Sequence, residues 1–137
     1  MNRWFVLIVI LVAGLFAASM AFAQKRPYDQ VMKDVGATFA SLKKNLDANA
    51  TAGAVEDAAK LEGLFKDTEA FWTPFKTKDA LDAAKGAQQA AAAVGAAAKD
   101  NNVQKAQAAY AGVGKYCNGC HSSHREQLPD KTYRIKP

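Results

Sequence analysis

Apolar residues recur every three or four positions along most of this chain, which is the spacing of one face of an α-helix. Polar clusters and a Thr-Pro pair divide the pattern into four segments. Pro27 is a favoured first helical residue, and Thr51, Thr77 and either Asn101 or Asn102 are candidate N-caps. The pattern therefore predicts four helices, which run from Pro27 to about residue 46, from Thr51 to Thr73, from Thr77 to about residue 98, and from Asn101 or Asn102 to about Glu126.

Each predicted helix has one apolar face. The side chains predicted to face inward are Tyr28, Val31, Met32, Val35, Phe39, Leu42 and Leu46 in the first helix; Val55, Ala58, Ala59, Leu61, Phe65, Thr68 and Trp72 in the second; Leu81, Ala84, Ala87, Ala91, Val94 and Ala98 in the third; and Val103, Ala106, Tyr110, Val113, Cys117, Cys120 and His124 in the fourth. The third face is mostly alanine. This face either lets a neighbouring helix or a flat ligand approach closely, or it is present only because alanine has a high helix propensity.

Four helices of about 20 residues joined by short connections favour an antiparallel, up-down-up-down four-helix bundle. Alanine, the strongest helix former, occurs 29 times, and the β-branched and aromatic residues are too scattered to predict strands. The sequence therefore predicts one all-α domain.

The N-terminus has the parts of a secretory signal peptide, which we assign to residues 1–23. Arg3 gives the positive start, an apolar stretch follows, and Ala21-Phe22-Ala23 offers a small-residue cleavage site. Cleavage leaves residues 24–137 as the domain, with no membrane attachment expected in the mature form. The open alternative is an uncleaved anchor, because residues 4–23 are long and apolar enough to span a bilayer. Either way, we expect export, to a periplasmic location.

The chemistry of the chain is concentrated in Cys117-Asn118-Gly119-Cys120-His121. In a C-x-x-C-H run, two thiols add to the two vinyl groups of a haem, and the adjacent imidazole ligates the iron. Residues three apart lie on one side of a helical turn, so both cysteines can reach the same porphyrin edge. The motif predicts one covalently attached haem c.

Two other uses of these cysteines fit less well. A thioredoxin-like dithiol pair needs a strand before the motif, and no strand pattern precedes it. A zinc site would have to add His124 to the three motif ligands. These four residues span about 10 Å along a helix at 1.5 Å per residue, whereas zinc ligands converge to about 2.0–2.3 Å from the metal.

The whole pattern resembles the class II cytochromes c, the cytochrome c′ family. The resemblance rests on a helix-rich body, a haem motif near the C-terminus, and the run Val113-Gly114-Lys115-x-Cys117-x-x-Cys120-His121-x-x-x-Arg125. It implies that Cys117 and Cys120 bind haem c covalently, that His121 is the proximal iron ligand, and that Arg125 lies beside the haem. It also implies a distal residue on the first helix, and dimers are common in the family. Two departures are His124, where an aromatic residue is usual, and the tail Gln127–Pro137, which could cover the proximal face.

Met32 is the only methionine outside the predicted signal peptide. In an antiparallel bundle it and His121 lie at one height, roughly 7–8 Å from the same end. Met32 is therefore a second candidate iron ligand. An iron with one histidine and one methionine ligand is typical of a low-spin carrier that passes one electron between redox partner proteins. If Met32 is only core filling, the open position would bind NO or CO instead. Without haem, the chain would be an interaction bundle.

Charge and the histidines refine this picture. Residues 24–104 carry 11 basic and 11 acidic residues, whereas residues 105–137 carry six basic and two acidic ones. The basic end would steer an acidic partner protein, or would only balance the haem propionates and aid solubility. Nucleic acid is a poor partner for an exported protein.

We expect His124 to be partly exposed, and no residue to supply the distal acid-base group of an enzyme.

Overall fold

The computed structural model describes residues 26–137, so the predicted signal peptide and its anchor alternative lie outside the described residues. The described chain forms four α-helices, a 3-10 turn and a two-stranded hairpin: α1 Tyr28–Asp47, α2 Thr51–Trp72, the 3-10 turn Thr73–Phe75, α3 Lys78–Lys99, α4 Val103–His124, β1 Arg125–Gln127 and β2 Tyr133–Ile135. None of these four helices is long and apolar enough to cross a membrane.

Contacts between helix ends give the direction of each helix. Nε1 of Trp72, the last residue of α2, donates to the hydroxyl of Tyr28, the first residue of α1, over 3.0 Å. Nε2 of His124, at the end of α4, lies 2.8 Å from the carboxylate of Asp79, at the start of α3. The connection between α2 and α3 is five residues long, which leaves room only for a reversal. The predicted antiparallel bundle of four packed helices is confirmed.

The helix starts lie within one residue of their predicted positions. The N-cap residues are Pro27, Ala50, Thr77 and Asn102. Thr51 is therefore the first residue of α2 rather than its cap. Only Asn102 caps with its side chain, which accepts a hydrogen bond from the backbone N–H of Lys105. Each connection between helices contains one residue with φ 55°, namely Asn49, Lys76 and Asn101, and asparagine is one of the few residues that enter this left-handed region readily.

Small residues bring α3 close to both of its neighbours. The buried alanines of α3 are Ala80, Ala84, Ala87, Ala91, Ala97 and Ala98. A β-carbon built on Gly95 of α3 would lie 3.4 Å from Cβ of Ala58 in α2, and one built on Gly112 of α4 would lie 3.8 Å from Cβ of Ala90. Of the two readings of the alanine face, close approach of neighbouring helices is the one the structure shows. We call the α2–α3 and α3–α4 interfaces the close side.

Helices α1 and α4 are also neighbours, yet their backbones approach each other at few positions. At mid-height the rings of Phe39 and Tyr110 stack, with centroids 4.1 Å apart and planes within 9°. The Tyr110 hydroxyl also donates to the carbonyl oxygen of Phe39 over 3.3 Å. Two aromatic rings between the helices keep their axes apart, and we call this α1–α4 interface the wide side.

Two predictions about helix α2 were wrong in detail. Ala59 is exposed, and Leu64, which the pattern left out, is only 2% exposed. The buried stripe runs through Ala54, Ala58 and Leu61, so it is centred slightly away from the predicted face. Ala59 lies about 100° around the helix from Ala58, which turns it toward solvent.

The chain after α4 forms a β-hairpin, which contradicts the prediction of a chain without strands. Helix α4 ends at His124, two residues earlier than predicted. The two strands pair antiparallel, with the register Arg125↔Ile135, Glu126↔Arg134 and Gln127↔Tyr133. The N–H of Leu128 donates to the carbonyl of Thr132 over 2.8 Å and closes the turn. Strands of three residues are too short for an alternating pattern to be visible in the sequence.

Candidate haem site

Cys117 and Cys120 lie one turn apart on α4, and both are half-buried free thiols. Burial raises the pKa of both thiols, and the Asp79 carboxylate raises the pKa of Cys120 further. Both side chains are therefore uncharged at neutral pH. Their spacing of three residues puts both sulfurs on one side of the helix, as thioether bonds to two vinyl groups of one ring require.

His121 follows directly on the same helix and is also half-buried. Burial lowers its pKa, and the guanidinium of Arg125, one turn further along, lowers that pKa more. The imidazole is therefore neutral at neutral pH, and a neutral ring nitrogen has the lone pair that a metal ligand needs. The Arg125 guanidinium is itself held over the ring of Tyr133, 4.2 Å from its centroid.

The aromatic pair of the wide side fixes the relative heights of α1 and α4. The ring of Phe39 stacks on Tyr110, and a β-carbon built on Gly114 would lie 3.8 Å from Cζ of Phe39. Phe39 therefore lies at the height of residues 110–114 of the facing helix. Because the two helices run antiparallel, a step toward the N-terminus of α1 matches an equal step toward the C-terminus of α4.

Met32 lies seven residues before Phe39, which is about two helical turns. On α4, a step of seven residues toward the C-terminus leads from position 110 to Cys117 and from position 114 to His121. Met32 thus lies at the height of the motif, on the helix across the wide side. Its side chain is half-buried and packs against the apolar core. This height agrees with the one derived from helix lengths alone.

An aromatic cluster closes the wide side at the end of the bundle nearest the motif. The ring of Tyr28 stacks on Phe71 with centroids 3.8 Å apart, and its hydroxyl accepts the hydrogen bond from Trp72. Burial raises the pKa of Tyr28 to about 12, so this hydroxyl keeps its proton. Trp72 in turn packs on the His124 ring, with centroids 4.9 Å apart. The sequence predicted that Tyr28 and Trp72 face inward, left Phe71 out, and gave no sign that this cluster joins α1, α2 and α4 beside the motif.

The expectation that His124 is partly exposed was wrong, because its side chain is only 9% exposed. Nδ1 lies 2.8 Å from the carbonyl oxygen of Lys136, and Nε2 lies 2.8 Å from the Asp79 carboxylate. The hydrogen bond with His124 lowers the pKa of Asp79. Both ring nitrogens of His124 have partners within the protein, so neither is left for a metal. The burial comes from Trp72 and from the hairpin, which returns to the helix end at Lys136.

Asp79 is the residue of this region that sequence reasoning missed. It lies in the first turn of α3, and no local pattern relates it to a histidine 45 residues later. The only available signal was topological: the short α2–α3 connection brings the start of α3 to the same end of the bundle as the end of α4.

The donors at the motif fit a haem. Among residues 26–137, no three His, Cys, Asp or Glu side chains converge into a metal site formed by protein ligands alone. The groups around the motif are two neutral thiols, one neutral imidazole, and the thioether of Met32 at the same height. The two cysteines would hold a c-type haem covalently, and the imidazole and the thioether are groups that would bind its iron.

No protein-family model matches this chain, and no curated protein matches it. The resemblance to class II cytochromes c therefore rests on the residues of the motif and on the bundle architecture.

Proposed function

We propose that this chain is an exported, monohaem class II cytochrome c that carries one electron between redox partner proteins in the periplasm. The observation that carries the proposal is the register of the wide side. It brings the only methionine outside the predicted signal peptide to the height of two neutral thiols and a neutral imidazole. A group held between α1 and α4 would meet all of these donors at once.

Each of these side chains has a definite part in the proposal. Cys117 and Cys120 attach the haem through thioether bonds, which hold it permanently without any enclosing loop. Neutral His121 donates a lone pair from a ring nitrogen to the iron. The positive charge of Arg125 lowers the pKa of His121 and so supports its neutral state. Met32 supplies a thioether sulfur from the opposite helix. A bound haem with these ligands supplies a one-electron Fe(III)/Fe(II) couple with a raised reduction potential.

The proposal gives this protein no catalytic residue. A peroxidase needs an acid-base group on the distal side of the haem. The histidine that could be considered for that part, His124, shares α4 with the proximal ligand, and both of its ring nitrogens already have partners. The side chain at motif height on α1 is a methionine, which does not exchange protons.

The test of attachment is extraction of the purified protein with acidified acetone. We expect the haem absorption to remain with the polypeptide, and we expect the variant with Cys117→Ala and Cys120→Ala to release it. Haem that is extractable from the wild type, with two titratable thiols left behind, contradicts the proposal. A purified protein without a Soret band would leave the interaction bundle as the function.

The test of ligation is the variant Met32→Leu, a volume-conserving change that leaves the thioether attachment intact. We expect the wild type to be low-spin in both oxidation states, as visible and paramagnetic-resonance spectra report. The variant should be high-spin when oxidised, should have a lower reduction potential, and should bind carbon monoxide faster. A wild type that is already high-spin and binds carbon monoxide readily would make the protein a gas-binding cytochrome c′ with Met32 as core filling.

A further inference from the structure

We propose that the C-terminal hairpin, residues 125–137, is a docking surface for an acidic protein. Only one part of this inference rests on the proposed function, namely that the acidic protein is the redox partner. The hairpin begins one turn beyond His121, so a protein seated on it would lie beside the motif.

The hairpin is fixed to the bundle rather than hanging from it. The ring of His124 holds the carbonyl of Lys136, and the N–H of Lys136 donates to the carbonyl of His124 over 2.9 Å. The Asp79 carboxylate holds the other side of the same ring. A surface that is already ordered loses little conformational entropy when a partner binds, which favours its use for docking.

One face of this hairpin carries two apolar side chains that are partly exposed to solvent. Tyr133 is 54% exposed and Ile135 is 39% exposed. Residues two apart on a strand share a face, so these two side chains lie together, with Arg125 stacked on the Tyr133 ring. Tyrosine and arginine are two of the residues that most often carry binding energy at protein interfaces.

The charges of the hairpin are arranged to meet negative charge. Its two acidic residues are engaged internally: Glu126 pairs with Arg134 at 2.6 Å, and Asp130 accepts from the hydroxyl of Thr132 at 2.6 Å. By contrast, Lys131 and Lys136 have no carboxylate of residues 26–137 within ion-pair distance. The apolar centre of this face therefore carries the Arg125 guanidinium, and Lys131 in the turn and Lys136 after β2 flank it along the chain.

This composition fits a protein partner better than a lipid surface. Interfacial membrane binding grows with the apolar area that enters the bilayer, and it normally uses a long amphipathic helix. The hairpin offers two apolar side chains on strands of three residues, one of them covered by a guanidinium. An aromatic centre with a charged rim is the usual anatomy of a transient protein interface.

The experiment measures binding of the full-length protein to an immobilised acidic plant-type ferredoxin by surface plasmon resonance at low ionic strength. Lys131→Gln with Lys136→Gln should weaken binding about tenfold, and Tyr133→Ser should weaken it about fivefold. The matched control is Lys44→Gln with Lys99→Gln, which removes the same charge at the opposite end of the bundle. It should change binding less than about twofold. Unchanged helical circular dichroism shows that the helical bundle of each variant is folded.

Equal losses in the two lysine pairs would overturn the proposal, because net charge alone would then explain binding. Unchanged binding by the hairpin variants, or no binding by the wild type, would also overturn it. So would hairpin-dependent binding to vesicles of phosphatidylglycerol and phosphatidylcholine in the absence of ferredoxin binding. The Soret band of the same samples separates the two proposals. A protein without haem that shows the hairpin dependence keeps the docking surface and loses the cytochrome function, and a haem protein without that dependence does the reverse.

Discussion

The close side and the wide side of this bundle are built from opposite kinds of residue. On the close side, alanine and glycine let the helices approach so closely that a β-carbon built on Gly95 would lie 3.4 Å from Cβ of Ala58. On the wide side, a stacked aromatic pair stands between α1 and α4, and their backbones meet at few positions. The difference teaches that side-chain size decides how closely each pair of neighbouring helices in this bundle packs.

The division also separates the chemistry. The alanine-rich face of α3 has no side chain able to bind a metal or react with a vinyl group, whereas both cysteines and His121 lie on α4 and Met32 lies on α1, the two helices of the wide side. Contacts of Trp72 with Tyr28 and with His124 cover the end of the wide side that is nearest the motif. The tight interfaces hold the bundle together, and the looser one carries the candidate site.

The largest expected effect comes from removing the residue that closes the wide side. Trp72→Ala takes away a side chain that is 1% exposed and contacts both Tyr28 and His124. The variant should lose about 3–5 kcal/mol of unfolding free energy, measured by denaturant titration, because a large buried ring leaves a cavity. Trp72→Phe keeps much of the ring and removes the N–H donor, so it should lose less than half as much. Equal losses would mean that the hydrogen bond, not the packing, closes this end.

The next effect tests the close side by overfilling it. Ala91→Leu places a large side chain where the residue is fully buried, and it should cost about 1–3 kcal/mol of unfolding free energy. Ala92→Leu makes the same change at the neighbouring exposed position of α3, and it should change stability by less than about 0.5 kcal/mol. If both variants are as stable as the wild type, α3 has more room than its small residues indicate.

A smaller effect is expected at the aromatic pair of the wide side. Tyr110→Phe keeps the ring stacked on Phe39 and removes the hydroxyl that donates to the Phe39 carbonyl. The loss should be about 0.5–1.5 kcal/mol, the usual contribution of one hydrogen bond. Tyr116→Phe on the same helix, where the tyrosine is 41% exposed, is the matched control and should be near neutral. A larger loss at Tyr110 would mean that its hydroxyl, rather than the ring, sets the spacing of α1 and α4.

Much of the fold could be predicted because its causes are local. The apolar periodicity predicts four helices, and Asn102 caps α4 with its own side chain, as its residue type suggests. The height of Met32 relative to His121 also follows from helix lengths once the helices are antiparallel. The motif is a local feature too, since its spacing alone brings two thiols to one face of α4.

The features that could not be predicted depend on residues far apart in the sequence. His124 is buried because Asp79 and the Lys136 carbonyl hold its two nitrogens, and neither partner is marked by a pattern. The hairpin has strands too short to show alternation. The unequal spacing of the two sides follows from which faces meet, and a list of apolar positions does not contain that information.

The smallest effect is a pH dependence at the closed end of the wide side. The pKa of Asp79 is lowered from 3.8, chiefly by its hydrogen bond with His124, so the folded state favours the carboxylate. Between the lowered value and 3.8 the unfolded chain binds more protons. The stabilisation is therefore complete above pH 3.8 and is lost as the pH falls through the folded pKa. Asp79→Asn should be less stable than the wild type at neutral pH, and the two should converge in acid, as denaturation midpoints measured from pH 7 to about pH 2 would show. Glu56→Gln removes one charge from the exposed face of α2 and should show no such convergence. A difference for Asp79→Asn that persists unchanged in acid would mean that the amide loses packing at this end, and that the hydrogen bond with His124 does not hold the hairpin to the bundle.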